Sequence, residues 1–426
     1  MNPDWIINGR RYDQKDLAAI AAGIEGLDRA ARVLIRSSDP ALYYAVLAHS
    51  ERNDAFLFAL PHSMPASSAV EVAQSAGVDL VIEGSAEAPR VSKPERAAAG
   101  GAETASGESG GICIFTTGTT GGPKGVVHTW QTISASSRYV PGALAGAVWW
   151  LAYQMTSYAG LQVYFSARRS AGTLVIETNR DPAAVAAAMV GAGVTVISAT
   201  PTYWRWLAQA WPSGVAKPAL LRATLGGEVV TQETLDLVRD TFLPQGITHI
   251  YASSEAGTAI VVSDGLAGFP AAFAGEGPGG AAECKVVDGE LFVRSTSRMA
   301  RYWKENEPGD GWIATGDLVE EREGRYYFRG RADGRINAGG AKVNPERVEE
   351  ALERLPMIRV ALVYAKSSPN VGDLLAADVE WAGPEAFDAG RVREGLTKML
   401  APHEIPPYIR TVDRIPMSEN GKKVRV

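Results

Sequence analysis

Ten residues, Thr116-Thr117-Gly118-Thr119-Thr120-Gly121-Gly122-Pro123-Lys124-Gly125, follow the apolar run Ile112–Phe115 and hold four threonines, four glycines and a single lysine. Glycine lets a backbone turn tightly and approach a ligand closely, because no Cβ intervenes. Successive N–H groups and hydroxyls then form a concave donor surface for an anion. Lys124 adds a compact positive charge, and Pro123 stiffens the turn before it. A nucleotide phosphate is the anion that fits best. The segment is not a Walker-type P-loop, which needs lysine between glycine and Ser or Thr; here Lys124 follows Pro123 and precedes Gly125. Its ordinary alternative is a flexible Gly/Thr surface loop.

Further along come Gly226-Gly227-Glu228, Tyr251-Ala252-Ser253-Ser254-Glu255, Thr315-Gly316-Asp317, Gly330-Arg331-Ala332-Asp333, Ala338-Gly339-Gly340-Ala341-Lys342 and, near the end, Asn420-Gly421-Lys422. Taken singly, each has an ordinary reading. Lys422 is a solvated tail lysine, Glu255 a carboxylate facing a helix N-terminus, and Asp317 a turn residue. Arg331 and Asp333 form a surface ion pair. Taken together and in this order, they resemble the adenylate-forming superfamily of acyl-CoA synthetases, peptide-synthetase adenylation domains and luciferases. The resemblance runs from about Ile112 to Arg425, with a weaker echo in Trp5–Leu17.

That resemblance implies a reaction in two steps. A carboxylate attacks the α-phosphorus of ATP to give an acyl-AMP and pyrophosphate, and a thiol then displaces AMP. It implies that Thr116, Thr117, Gly118, Thr119, Thr120, Gly121 and Lys124 wrap the outer phosphates, and that Glu255 binds Mg²⁺, a hard cation suited to carboxylate oxygen. Gly227, Glu228, Tyr251, Ala252, Ser253 and Ser254 line the nucleotide, with the Tyr251 ring against adenine and the Ser254 hydroxyl on the α-phosphate. Asp317 accepts from the ribose hydroxyls and Arg331 adds a contact there. Lys422 bridges the α-phosphate and the attacking carboxylate, where charge grows in the transition state. Gly339 and Gly340 border the thiol tunnel, and Asp333 is the hinge on which the C-terminal domain turns between steps, flanked by permissive Gly330 and Gly334.

The acyl pocket draws on Gln154, Ser157, Tyr158, Thr200, Tyr203 and Gly226, in the region where relatives carry an aromatic or histidine gate. His128 reads as a structural histidine. Amino-acid-activating relatives place an aspartate in this region to meet the ammonium group, and none lies between Trp149 and Phe165. An aryl or short-to-medium acyl acid is therefore expected rather than an α-amino acid. Coenzyme A is the expected acceptor, with the phosphopantetheine arm of an acyl carrier protein as the alternative. A nucleotide-binding interaction module without turnover is the second alternative.

The elements that must position these residues are also legible. The chain has 426 residues, 46% of them hydrophobic and 21% charged, with a net charge of −6. It is therefore read as globular, of more than one domain, with no basic balance for nucleic acid. No apolar run reaches the length of a membrane span, no signal pattern opens the chain, and a cytoplasmic location is expected. Cys113 and Cys284 lack metal or disulfide spacing, and Cys113 falls in an apparent strand.

Residues 31–82 alternate short apolar runs with helical patterns, as βαβ units on a parallel sheet do. Strands are expected at Ala147–Leu151, Gly172–Ile176, Val194–Ser198, Leu220–Leu225 and Ile247–Tyr251, with helices between them opened by Asp or Thr. Cys284–Arg294 reads as a hairpin turning at Asp288-Gly289. The expected fold is α/β: a large domain over 1–330 with layered βαβ sheets and a small β-rich subdomain, then a small mobile α+β domain over 331–426. Residues 87–111 read as a mobile connector, and the stretch before the Thr/Gly segment is shorter than in relatives.

Overall fold

The computed structural model describes residues 4–94, 110–116, 124–276, 282–305, 311–332, 334–338, 341–368, 372–383, 385–417 and 423. They form two compact units, one of residues 1–266, 276–283 and 293–313, the other of residues 267–275, 284–292 and 314–426.

In the first unit the apolar runs become two sheets. The larger has eight strands, ordered Gly257–Val262, Ile247–Ser253, Arg222–Gly226, Val196–Ala199, Val148–Leu151, Thr173–Ile176, Asp4–Ile7 and Arg10–Tyr12. Its five interior pairings are parallel, and the pair at each edge is antiparallel. All five strands expected between 147 and 251 are present within two residues of their expected ends. The Asp and Thr start signals act as caps. Asp181 accepts from the N–H groups of Ala183 and Ala184, and Thr231 from that of Thr234, meeting donors that a helix N-terminus leaves unpaired.

The second sheet orders its seven strands Arg301–Tyr302, Lys124–Thr129, Gly111–Thr116, Phe56–Ala59, Arg32–Arg36, Leu80–Gly84 and Pro89–Ser92. Central strands such as Val33-Leu34-Ile35 are apolar on both faces and fully buried, as covered parallel strands must be. One core runs through both sheets, joining Val33, Leu57 and Ile112 to Leu151, Leu174 and Val196 through the helices Pro40–Arg52 and Tyr158–Arg169.

The connector reading of 87–111 is corrected at both ends. Pro89–Ser92 is an edge strand paired antiparallel with Leu80–Gly84, and Gly111 already pairs with Phe56. A strand with one large apolar residue, Val91, has no readable alternation of its own; its partner ladder makes it, and its proline stands at the first position, where no ladder donor is needed. Gly84 makes the turn. It has φ +90°, and a Cβ there would come within 2.5 Å of the Ala88 carbonyl oxygen.

The second unit is built mainly on antiparallel pairs, with Tyr408–Thr411 joining Gly372–Trp381 in parallel. Ile313–Arg322 lies beside Arg325–Arg331, Phe269–Pro270 extends that pairing, and the hairpin at Asp288-Gly289 forms as expected. Ile358–Ser368, Gly372–Trp381 and Tyr408–Thr411 make a three-stranded sheet packed by helices Pro345–Glu353 and Ala389–Leu396 over a core that includes Val348, Leu352, Val363, Leu375 and Val392. Among the described residues no helix is long and apolar enough to cross a membrane.

Candidate active site

The strands Gly111–Thr116 and Lys124–Thr129 pair antiparallel with Thr116 opposite Lys124. The two ends of the Thr/Gly segment are thus fixed side by side. Thr117, Gly118, Thr119, Thr120 and Gly121 lie outside the described residues. Lys124 is exposed, and its Nζ stands 3.6 Å from the centre of the Tyr302 ring. Tyr302 arrives from far along the chain, on a two-residue strand that pairs Arg301 with Val127 and Tyr302 with Val126. In that register Lys124 is the diagonal neighbour of Tyr302 on one face of the ladder.

Gly125 makes this approach possible. A Cβ there would lie 2.8 Å from both the Trp303 Cβ and the Cys113 Sγ. Instead the Trp303 N–H reaches the Gly125 carbonyl at 2.9 Å, and the indole packs edge-on against Phe115 and Phe58.

The end of the strand Ile247–Ser253 delivers Glu255 to the same place. Its carbonyl accepts from the Met299 N–H at 2.8 Å, and its Oε1 accepts from the Tyr302 hydroxyl at 3.3 Å. The neighbouring Ser254 carbonyl accepts from Nε2 of fully buried His128 at 2.8 Å, and Nδ1 lies 3.2 Å from Thr132 Oγ1. Burial pushes the His128 pKa down to about 4, so a neutral ring with its proton on Nε2 holds the turn. The reading of His128 as structural agrees with these contacts. Ser253 closes the turn by accepting from the Ala256 N–H.

The next strand brings Gly226, opposite Ile250, with its carbonyl taking the Tyr153 hydroxyl at 3.3 Å. Gly227 follows at φ +82°, and Glu228 turns its Oε2 onto the Thr202 N–H at 2.9 Å, meeting an open donor of helix Pro201–Ala210. Tyr251 and Ala252 lie in the strand before Glu255.

The expected acyl-pocket residues fall on three elements of the same unit, and several have local work. Ser157 caps helix Tyr158–Arg169, accepting from Gly160 and donating to the Gln154 carbonyl. Thr200 caps helix Pro201–Ala210, and the Tyr203 hydroxyl accepts from the Trp150 indole at 2.9 Å. The Tyr158 hydroxyl accepts from the Thr258 N–H at 3.1 Å, and its ring tilts against His128. Burial pushes the Tyr203 phenol up to about 12 and raises that of Tyr158. Both are neutral hydrogen-bonding groups at ordinary pH.

In the second unit Asp317 and Arg331 face each other across their ladder, with guanidinium and carboxylate 3.6 Å apart. Thr315 supports both: its hydroxyl accepts from the Asp317 N–H, and its carbonyl accepts from Arg331 Nη1 at 3.2 Å. Ile336–Ala338 and Ala341–Val343 pair as a hairpin joined by residues 339–340. Gly339, Gly340, Asp333 and Lys422 lie outside the described residues. Lys423, next to Lys422, is largely covered, its Nζ lying 3.1 and 2.6 Å from carboxylate oxygens of Glu349 and Glu353.

Sequence reasoning missed Tyr302. It pairs with a carboxylate 47 positions away, and nothing in Arg301-Tyr302-Trp303 alone points there. Among the described residues no three His, Cys, Asp or Glu side chains cluster as a metal site.

The match to known proteins is broad. The family model described as AMP-binding enzyme matches residues 28–303. A feruloyl-CoA synthase of Amycolatopsis sp is 26% identical over 339 residues, covering 73% of this chain and 67% of that protein. A dimodular nonribosomal peptide synthase of Bacillus subtilis is 26% identical over 346 residues, covering 72% of this chain and 14% of that much longer one. Among solved structures, o-succinylbenzoate CoA synthetase from Bacillus subtilis, in complex with its acyl-adenylate intermediate, superposes with a TM-score of 0.73 at 18% identity, over 98% of this chain and 93% of that one. The α/β fold and the adenylate-forming resemblance expected from the ordered motifs are thereby borne out: this chain belongs to the AMP-binding enzyme family.

Proposed function

We propose that the chain activates an aryl carboxylic acid with ATP and passes the acyl group to coenzyme A. The carrying observation is the meeting of Lys124, Tyr302 and Glu255 where the Thr/Gly segment begins and ends. It sets a cation and a carboxylate beside a stretch rich in backbone donors, which is what a metal–polyphosphate needs.

An oxygen of the substrate carboxylate donates an electron pair to the α-phosphorus to form the new P–O bond, and the bond from that phosphorus to the α–β bridging oxygen breaks, its electron pair leaving with the pyrophosphate. Lys124 and the Thr/Gly donors meet the negative charge that leaves. Glu255, one carboxylate with a hydroxyl beside it, fits Mg²⁺ in the way that ion is usually held, through one or two carboxylates plus substrate phosphates; bound there, the ion would neutralise charge on the leaving group. Asp317 and Arg331 receive the ribose, and Lys422 meets the charge that grows between the acid and the α-phosphate. In the second step a thiolate attacks the acyl carbon and AMP departs, with Gly339 and Gly340 bordering its approach and Asp333 as the hinge.

The acid is aryl on two grounds. Tyr158 and Tyr203, both held neutral, are the aromatic side chains among the residues proposed for the acyl pocket, and no aspartate between Trp149 and Phe165 is available for an ammonium group. The name of the feruloyl-CoA synthase supports the same class. The likeness to a nonribosomal peptide synthase favours a second reading, in which a carrier protein's phosphopantetheine thiol replaces coenzyme A. Pyrophosphate exchange over a panel of benzoates, cinnamates, alkyl acids and amino acids tests the proposal. Exchange with aryl acids, followed by thioester formation with coenzyme A, is the expected result. Thioester only on holo-carrier protein selects the second reading, and ATP binding without exchange for any acid overturns both.

A further inference from the structure

We infer that Tyr302 is a positioning residue for the metal–polyphosphate end of the reaction, setting Glu255 with its hydroxyl and Lys124 with its ring face. This rests on the function proposed above. Three observations carry it.

The ring is shared. One face lies 3.6 Å below the Lys124 ammonium, and the hydroxyl at its edge donates to Glu255 Oε1 at 3.3 Å. A tyrosine has a fixed distance between ring face and hydroxyl, so moving the ring moves both charged groups. The attraction of an ammonium for a ring face and a hydrogen bond to a carboxylate are separate interactions, removable one at a time.

The ring is also held from behind. Its backbone is paired to Val126, the next residue Trp303 donates to the Gly125 carbonyl, and that indole is wedged against Phe115 and Phe58. Gly125 is the position at which any side chain would push this segment away. The glycine beside the lysine thus admits the strand that carries the tyrosine.

Finally, Tyr302 is a side-chain contact at a carboxylate whose main chain is fixed independently. Met299 and His128 pin the backbone of Glu255 and Ser254, and Tyr302 sets the carboxylate itself. Partners of a metal-binding carboxylate commonly change metal affinity about 10- to 100-fold when removed.

Titration calorimetry of ATP into the full chain, at Mg²⁺ concentrations from zero upward, provides a readout independent of turnover. Tyr302→Phe keeps the ring and loses the hydroxyl; the Mg²⁺ needed for half-maximal tightening should rise about tenfold, with ATP binding in the absence of Mg²⁺ unchanged. Tyr302→Leu loses both, and should also weaken metal-free ATP binding about threefold. Adding Tyr302→Phe to Glu255→Gln should cost nothing further in the Mg²⁺ response, because the partner is already gone. An unchanged Mg²⁺ response in Tyr302→Phe overturns the inference. So does an equal loss at every Mg²⁺ concentration accompanied by a lower melting temperature, the mark of a merely structural ring. If the wild-type chain exchanges pyrophosphate with no acid while Tyr302→Phe shifts the Mg²⁺ response as stated, the proposed reaction fails and the role of Tyr302 stands.

Discussion

The two carboxylates proposed above to meet the nucleotide and its metal, one in each unit, are supported in opposite ways. Asp317 has support within its own hairpin: Thr315 and Arg331 both contact it, and the span from Thr315 to Arg331 is 16 positions. Glu255 is held from a distance, by Tyr302 at 47 positions and by His128, which reaches Ser254 across 126. Local support makes a site that one stretch of sequence can specify. Distant support makes one that exists only when strands of two folded sheets have met.

The sharpest way to break this contrast is to remove each carboxylate. Glu255→Gln should lower pyrophosphate exchange about 100- to 1000-fold, by analogy with losing one preorganised group at developing charge. Asp317→Asn should act mainly on ATP affinity, raising the KM for ATP about tenfold, the effect of one charged hydrogen-bond partner. Equal losses of kcat in the two variants would erase the distinction.

His128 sharpens the comparison through pH. Its folded pKa, about 4, lies below the unfolded value near 6.5 because burial disfavours the charged ring. Between those values the unfolded chain binds the extra proton, so stability is full above pH 6.5 and falls as pH drops toward 4. Urea denaturation of the wild type should therefore show a loss of about 2 kcal/mol from this group between pH 7 and pH 5. His128→Gln should lack that component of the slope, and a slope identical to wild type would show that the ring is not held neutral.

The smallest expected effect is at Ser157. As a helix cap its replacement by alanine should cost about 1 kcal/mol of stability, with the ranking of acids unchanged. A changed ranking would move Ser157 from the cap to the acyl pocket.

This contrast also accounts for what the sequence made legible. Asp317, Arg331 and the Thr/Gly segment stood out because each belongs to a short run whose composition already suggests its chemistry. The parallel strands were readable for the same reason, Val33-Leu34-Ile35 being apolar on both faces. Tyr302 was not, because its meaning depends on Val126 and Gly125 in another part of the sheet. Pro89–Ser92 was not, because an edge strand with one apolar residue is defined by its neighbour. Ser157, Thr200 and Glu228 stood out by type and position, yet their oxygens have helix N-termini to satisfy, a demand visible only once the helices have ends.

The thiol packed where the two crossing segments meet has a practical consequence. Cys113 points its sulfur at the seam between Gly125 and the Trp303 segment and is wholly covered, and Cys284 is also buried. A maleimide or aromatic disulfide reagent can reach Cys113 only when that seam parts. Its labelling rate is therefore an intrinsic clock for breathing of the hairpin that carries the Thr/Gly segment, and a ligand that tightens the hairpin will slow it without any engineered probe.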